Sequence, residues 1–156
     1  MFSMKRCGMR RRLYALSLKQ PWATLVVTGL KTVEIRRWMT NYRGPLLIHA
    51  SRLWDARATG WEVLPAEQQP LLQLRGGVIG QVELLSCVSY KSVDSFTVDQ
   101  SQHWNRTEWF EPPIMFGFRF VSPRVLPFHA CKGQVRLFTV DQELLSNSVK
   151  ASEGKT

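Results

Sequence analysis

The chain has 156 residues, a length that suits one packed core, and its 44% apolar content is that of an ordinary globular domain. No stretch approaches the ~18 consecutive apolar residues of a membrane-spanning helix, which argues against a membrane partner. The net charge of +9 favours a polyanion such as nucleic acid, and three scattered cysteines, Cys7, Cys87 and Cys131, exclude a disulfide framework and point to a reducing cytoplasm.

Residues 1–12 hold Lys5, Arg6, Arg10, Arg11 and Arg12 and no acid, leaving sixteen basic against twelve acidic residues, or +4, for the rest. No apolar run or small-residue cleavage site follows, so this head does not read as a secretion signal. It reads equally as a disordered solubilising segment and as a phosphate-contacting arm. Residues 13–140 are expected to form a single domain, and 141–156 a polar extension.

Within the domain, Gln20 to Thr28 reads as a short helix, with Pro21 at its first position and Gly29 placed to close it in the left-handed conformation. A strand follows at 32–37, on which Thr32, Glu34 and Arg36 share one face and Val33 and Ile35 the other. Lys31, in the turn before it, can lean over the polar face and meet Glu34. A second strand is expected at 46–50. Trp54, Ala58 and Trp61 recur at helical spacing and predict a helix over 52–64, broken near Gly60, with its tryptophans in the core or in a lid.

Residues 65–75 read as a proline-punctuated loop or a frayed helix, and a long strand follows at 78–88. Its alternation places Val78, Val82 and Leu84 on one face and Gln81 and Glu83 on the other, and Gly80 marks a bend or a close approach of another segment. Residues 89–113, which hold His103, Trp104, Trp109 and Phe110, form an excursion long enough for a lid or binding loop. His129 and Cys131 are the one close His/Cys pair, too few for a zinc site, so no metal ligand is assigned. Several short strands separated by turns predict a small barrel.

The segment Gly29-x-Lys31-x-x-Glu34-x-Arg36, led by Leu16-Ser17-Leu18-Lys19-Gln20-Pro21-Trp22-Ala23, resembles the signature of the ASCH domain (activating-signal-cointegrator homology), a branch of the PUA-like superfamily. Tyr42-Arg43-Gly44-Pro45 running into residues 46–51 is similar to the family's second strand. Residues 116–124, Lys132-Gly133-Gln134 and residues 137–140 resemble its closing hairpin. The resemblance covers roughly residues 13 to 140. It implies an α+β fold, a PUA-like small β-barrel with flanking short helices.

The resemblance also implies candidate chemistry. One branch of small ASCH-like proteins are amidohydrolases acting on N4-acetylcytidine through a lysine, a threonine and a glutamate. The lysine falls on Lys31 and the glutamate on Glu83, but Glu34 stands where the threonine belongs, and a carboxylate there activates water or holds a cation rather than acting as a nucleophile. Two further readings stay open.

In one, the protein binds RNA or another single strand: Lys31 and Arg36 meet phosphate, Glu34 accepts from a base amino group, and an aromatic side chain of the excursion stacks on a base. In the other it is a ribonuclease, with Lys31, Glu34 and Glu83 catalytic and a divalent cation as the possible cofactor. Arg37, Arg43, Arg52, Arg119, Arg124 and Lys132 are further candidates for a nucleic-acid groove, although each alone reads rather as a solvated surface charge. A protein-interaction adaptor would instead require Trp104, Trp109 and Phe110 to form an exposed patch.

Overall fold

The computed structural model describes residues 12–142 and 145; the basic head before Arg12 and most of the extension after Asp141 lie outside that range. Six strands form one mixed sheet: β1 (Arg12–Gln20), β2 (Val33–Arg36), β3 (Gly44–Trp54), β4 (Gly77–Tyr90), β5 (Met115–Ala130) and β6 (Leu137–Asp141), in the order β2-β5-β4-β3-β1-β6. Only β1 and β3 run parallel; the other pairs are antiparallel. The sheet is not closed by strand pairing, but it curls in the barrel-like manner of an α+β domain. No helix among the described residues is long and apolar enough to cross a membrane.

The curl wraps α1 (Trp22–Val27), whose six residues are all buried. So short a helix gains little from its own hydrogen bonds, and tertiary packing holds it. Gln20, just before it, is fully buried and satisfied. Its Oε1 accepts from the Thr24 amide at 3.1 Å and hydroxyl at 2.9 Å, while its Nε2 donates to the carbonyls of Leu71 and Leu74. Pro21 caps the helix rather than opening it, and Gly29 closes the turn at φ +85°, as the sequence predicts. Around α1 lies the main core, including Leu16, Leu18, Leu46, Ile48, Val82 and Phe118.

Three expectations are corrected. Residues 52–64 are not a helix: β3 continues to Trp54, and a turn follows in which the Asp55 carboxylate accepts from the Arg57 amide at 3.0 Å, an alternative that competes with helical bonding. Gly60, at φ +84°, then leaves room for a single 3₁₀ turn at Trp61–Val63. Trp54 and Trp61 still meet, edge to face at 5.6 Å, but through a loop.

In β4 the pairing slips at Ile79, so Val78 turns away from Val82 and Leu84 and joins a separate cluster with Ala15, Leu47, Phe138 and Val140. Gly80 sits at that slip, where a Cβ would collide with Val27 of α1 and the Arg124 carbonyl. Finally, β5 and β6 do not form a hairpin. β5 pairs with β2 and β4, while β6 pairs with β1 at the opposite edge, so residues 131–136 must cross between them.

Candidate functional site

The sequence alternation on β2 is realised. Val33 and Ile35 pack with Tyr90, Phe96 and Met115, while Glu34 and Arg36 turn to the other side. That side faces a cavity of about 1240 Å³ between the ends of β1 and β3, strand β2 and the crossing segment 131–136. Seven lining side chains are lysine or arginine and two, Glu34 and Asp55, are acids, so the cavity carries an excess of positive charge.

Lys31 lies beneath the cavity floor. It is 1% exposed, its Nζ donates to the His103 carbonyl, and it stands 3.5 Å from Glu34 Oε2 and 5.1 Å from the centre of the Trp22 ring. Burial pushes its pKa below the usual lysine value, with Glu34 opposing that shift. Glu34 is 8% exposed and its Oε1 is 3.4 Å from Arg36 Nε. Among the described residues, Glu34 Oε2 and Arg36 Nε make only long ion-pair contacts, to Lys31 Nζ at 3.5 Å and to Glu34 Oε1 at 3.4 Å. A buried acceptor and a buried donor held only by such long contacts at a cavity wall keep capacity for shorter hydrogen bonds to a ligand.

Arg36 reaches across the cavity to donate through Nη2 to the Ser17 carbonyl at 3.0 Å. The Ser17 hydroxyl is 2.8 Å from His49 Nδ1, and His49 Nε2 is 2.7 Å from the Cys131 carbonyl. A carbonyl only accepts, so Nε2 carries the proton and Nδ1 accepts from the serine hydroxyl. Burial lowers the His49 pKa and keeps the ring neutral. At the far wall, Trp22 Nε1 donates to Asp55 Oδ2 at 2.9 Å, and Arg57 binds the same carboxylate through Nε and Nη2 at 3.1 and 3.0 Å. Those bonds hold the Asp55 carboxyl well below the usual carboxylate range.

Of the residues singled out from the sequence, Lys31, Glu34, Arg36, Arg52 and Lys132 line this cavity. The others lie elsewhere. Glu83 sits on β4 opposite Pro45 and Val121, near Tyr42, and is not brought to Glu34. Arg37 pairs with Glu111, Arg43 binds the Thr40 and Tyr42 carbonyls, Arg124 binds Gln81, and Arg119 lies in the β2–β5–β4 ladder. The strand periodicity that aligned Glu83 with the polar face could not show which way the sheet curls.

The excursion after β4 does not act as a free lid. It folds into α2 (Val93–Val98) and α3 (Gln100–His103), whose buried His103 seats Lys31 through its carbonyl. Trp104, Trp109 and Phe110 are half-buried against the core, and none of them lines the cavity. The aromatic side chains that do line the cavity are Trp22 and Trp38, with Arg136 lying 5.4 Å over the Trp38 ring.

Ser17, Lys19, His49, Asp55, Arg57 and Arg136 also line the cavity, although the sequence assigns none of them a site role. Ser17 and Lys19 alternate with the buried Leu16 and Leu18, a period-two signal that was available. His49, alone in the apolar run of β3, gave none.

Comparison with known proteins agrees with this architecture. The ASCH domain model matches residues 16–121. The chain belongs to the ASCH domain family. Activating signal cointegrator 1 of Mus musculus is 37% identical over 155 residues and that of Homo sapiens 30% over 153, each match covering 88% of this chain and 24% of the cointegrator. The chain therefore spans about a quarter of those relatives. Among solved structures, ASCH from Zymomonas mobilis matches with a TM-score of 0.61 at 17% identity, covering 88% of this chain and 93% of that one. A point mutant of the same protein matches at 0.63 and 18%, covering 90% and 98%. The ASCH domain has a PUA-like fold implicated in RNA binding.

Proposed function

We propose that this ASCH domain binds single-stranded RNA by drawing one nucleotide into the cavity beside Glu34 and Arg36. The observation that carries this is the Glu34–Arg36 pair at the wall of a cation-lined cavity, whose Oε2 and Nε make only long ion-pair contacts. A base with an amino group beside a ring nitrogen offers a donor to the carboxylate and an acceptor to the guanidinium, as adenine and cytosine do on their pairing edges. Lys19, Arg52 and Lys132, at the rim, are suited to backbone phosphates, and Trp38 offers a ring for stacking.

Glu83 has no part in this reading. A divalent cation held by Glu34 and Glu83 does not fit the residues present, because Glu83 is outside the cavity and Glu34 already faces two cations. Among the described residues no cluster of three or more His, Cys, Asp and Glu side chains is suited to a metal ion.

The test is fluorescence anisotropy of labelled single-stranded RNA titrated with protein across a salt series, with the strands recovered and analysed by mass spectrometry. Binding that weakens with salt by about 0.7 log unit per log unit for each phosphate contacted, weakens again in a Lys19/Arg52/Lys132 triple alanine variant, and returns intact strands supports the proposal. Absence of binding at low salt would overturn it, and shortened or deacetylated strands would replace it with a hydrolase.

A further inference from the structure

We propose that Ser17 is a nucleophile activated by His49, and that the cavity hydrolyses a carboxylic ester on a phosphate-bearing molecule. This goes beyond RNA binding and does not depend on it.

The geometry aligns a nucleophile, a base and a group that orients the base. The Ser17 hydroxyl donates to His49 Nδ1 at 2.8 Å, and the opposite edge of the ring is fixed by the Cys131 carbonyl at 2.7 Å. His49 is 2% exposed, behind the serine, while Ser17 itself reaches the cavity. Because the only serine proton points at the ring, the oxygen's lone pairs are left for the cavity side. Gly133 lies close against the pair at the cavity wall: a Cβ there would stand 2.7 Å from His49 Cε1 and 3.0 Å from both Nδ1 and Ser17 Oγ. Arg36, bound to the Ser17 carbonyl, and Lys132, beside Gly133, line the same cavity as Ser17 and make its field favourable to a developing oxyanion.

In the reaction, Ser17 Oγ bonds to the ester carbonyl carbon as its proton passes to His49 Nδ1. The bond from that carbon to the leaving oxygen then breaks, and the leaving alkoxide takes the proton from Nδ1. Water attacks the acyl carbon, gives a proton to Nδ1, and the bond to Oγ breaks as Ser17 recovers it, releasing the carboxylic acid.

The group that steadies the ring is a neutral carbonyl rather than a carboxylate, so the imidazolium gains less support than in a Ser-His-Asp site. An alkoxide leaving group demands less of it than an amine, which is why an ester and not an amide is the assigned bond. The phosphate requirement follows from the surplus of lysine and arginine around the cavity.

The experiment treats the full chain with a fluorophosphonate probe and with p-nitrophenyl acetate, locating adducts by peptide mass spectrometry and checking the fold of each variant by circular dichroism. The expected result is an adduct on Ser17, absent in Ser17→Ala and formed roughly 10²-fold more slowly in a folded His49→Gln protein. A bare Ser17 under conditions that fully label a reference serine hydrolase would overturn the proposal, as would unchanged labelling in folded His49→Gln. If that variant does not fold, the decision rests on the unsubstituted protein: a p-nitrophenolate burst with an acetyl group on Ser17 supports the nucleophile, and hydrolysis without acetyl-Ser17 overturns it. Inorganic phosphate is expected to slow the reaction by competing for the cations, and indifference to it would remove the phosphate-bearing substrate.

Discussion

The Arg36 guanidinium donates to the Ser17 carbonyl at 3.0 Å, joining β2 to β1 although three strands separate them in the sheet. The barrel-like closure that strand pairing leaves incomplete is thus made by a side chain across the cavity. Arg36→Ala is expected to lower stability by about 1.5–3 kcal/mol, the range for a hydrogen bond to a charged group. Urea denaturation checks this, and RNA affinity should fall in the same variant. An unchanged midpoint would mean that the bond does not hold the edges together.

Glu34→Gln removes the carboxylate that faces buried Lys31. Breaking such a pair costs about 3–5 kcal/mol when the remaining charge has no other compensation. The pH dependence carries a sign. The folded-state pKa of Lys31 is already below its ordinary value of 10.5, so between those two values the unfolded chain binds more protons and stability rises with pH. Loss of Glu34 lowers the folded value further and widens that window downward. The deficit of Glu34→Gln relative to the unsubstituted protein should therefore shrink as pH rises toward 10.5, which paired denaturation curves would show.

Asp55→Ala removes the acceptor shared by the Trp22 indole and Arg57. Arg57 is largely exposed, so most of the loss should come from the buried indole, about 1–3 kcal/mol. The Asp55 pKa is depressed in the folded state, so its contribution is present above the ordinary carboxylate pKa of 3.8 and is lost as pH falls through the folded value. The gap between the two proteins should be full at neutral pH and should narrow under strong acid, provided both remain folded.

Gly133→Ala places a methyl group against His49 and Ser17 in a space that has no room for it. Overpacking of this kind costs about 1–3 kcal/mol. A lower melting temperature together with weaker RNA binding would show that segment 131–136 is held against the cavity. A variant as stable as the unsubstituted protein would show that the segment can lift away.

Glu83→Ala and Arg124→Ala should leave RNA affinity unchanged, because neither side chain lines the cavity. Anisotropy titrations at one salt concentration decide the matter, and a marked loss in either would put the binding surface on the β4–β5 ladder instead.

How far the sequence reveals the molecule depends on the range of the interaction. The helix closed by Gly29, the polar face of β2 and the Lys31–Glu34 pairing are local, set by spacing over a few residues, and all three are legible. The slip at Ile79 and the Asp55 turn are also local, but each turns on one competing hydrogen-bond pattern that periodicity does not weigh. The Ser17–His49–Cys131 alignment joins three segments far apart in the chain, and no spacing rule reaches that distance. Glu83 shows the converse: its alternation is as expected, yet the curl of the sheet carries it away from the cavity.

The cavity walls come from positions 17, 34, 49 and 133, so only a fragment that spans nearly the whole domain contains them together. The segment that forms its last wall, 131–136, leads directly into β6, which pairs with β1 with Leu13 opposite Val140. Occupancy is thereby thermodynamically linked to the meeting of the domain's two ends. A ligand at a hundred times its Kd adds about 2.7 kcal/mol to folding, and part of that gain should appear far from the ligand, as slower amide exchange along the terminal β1–β6 ladder.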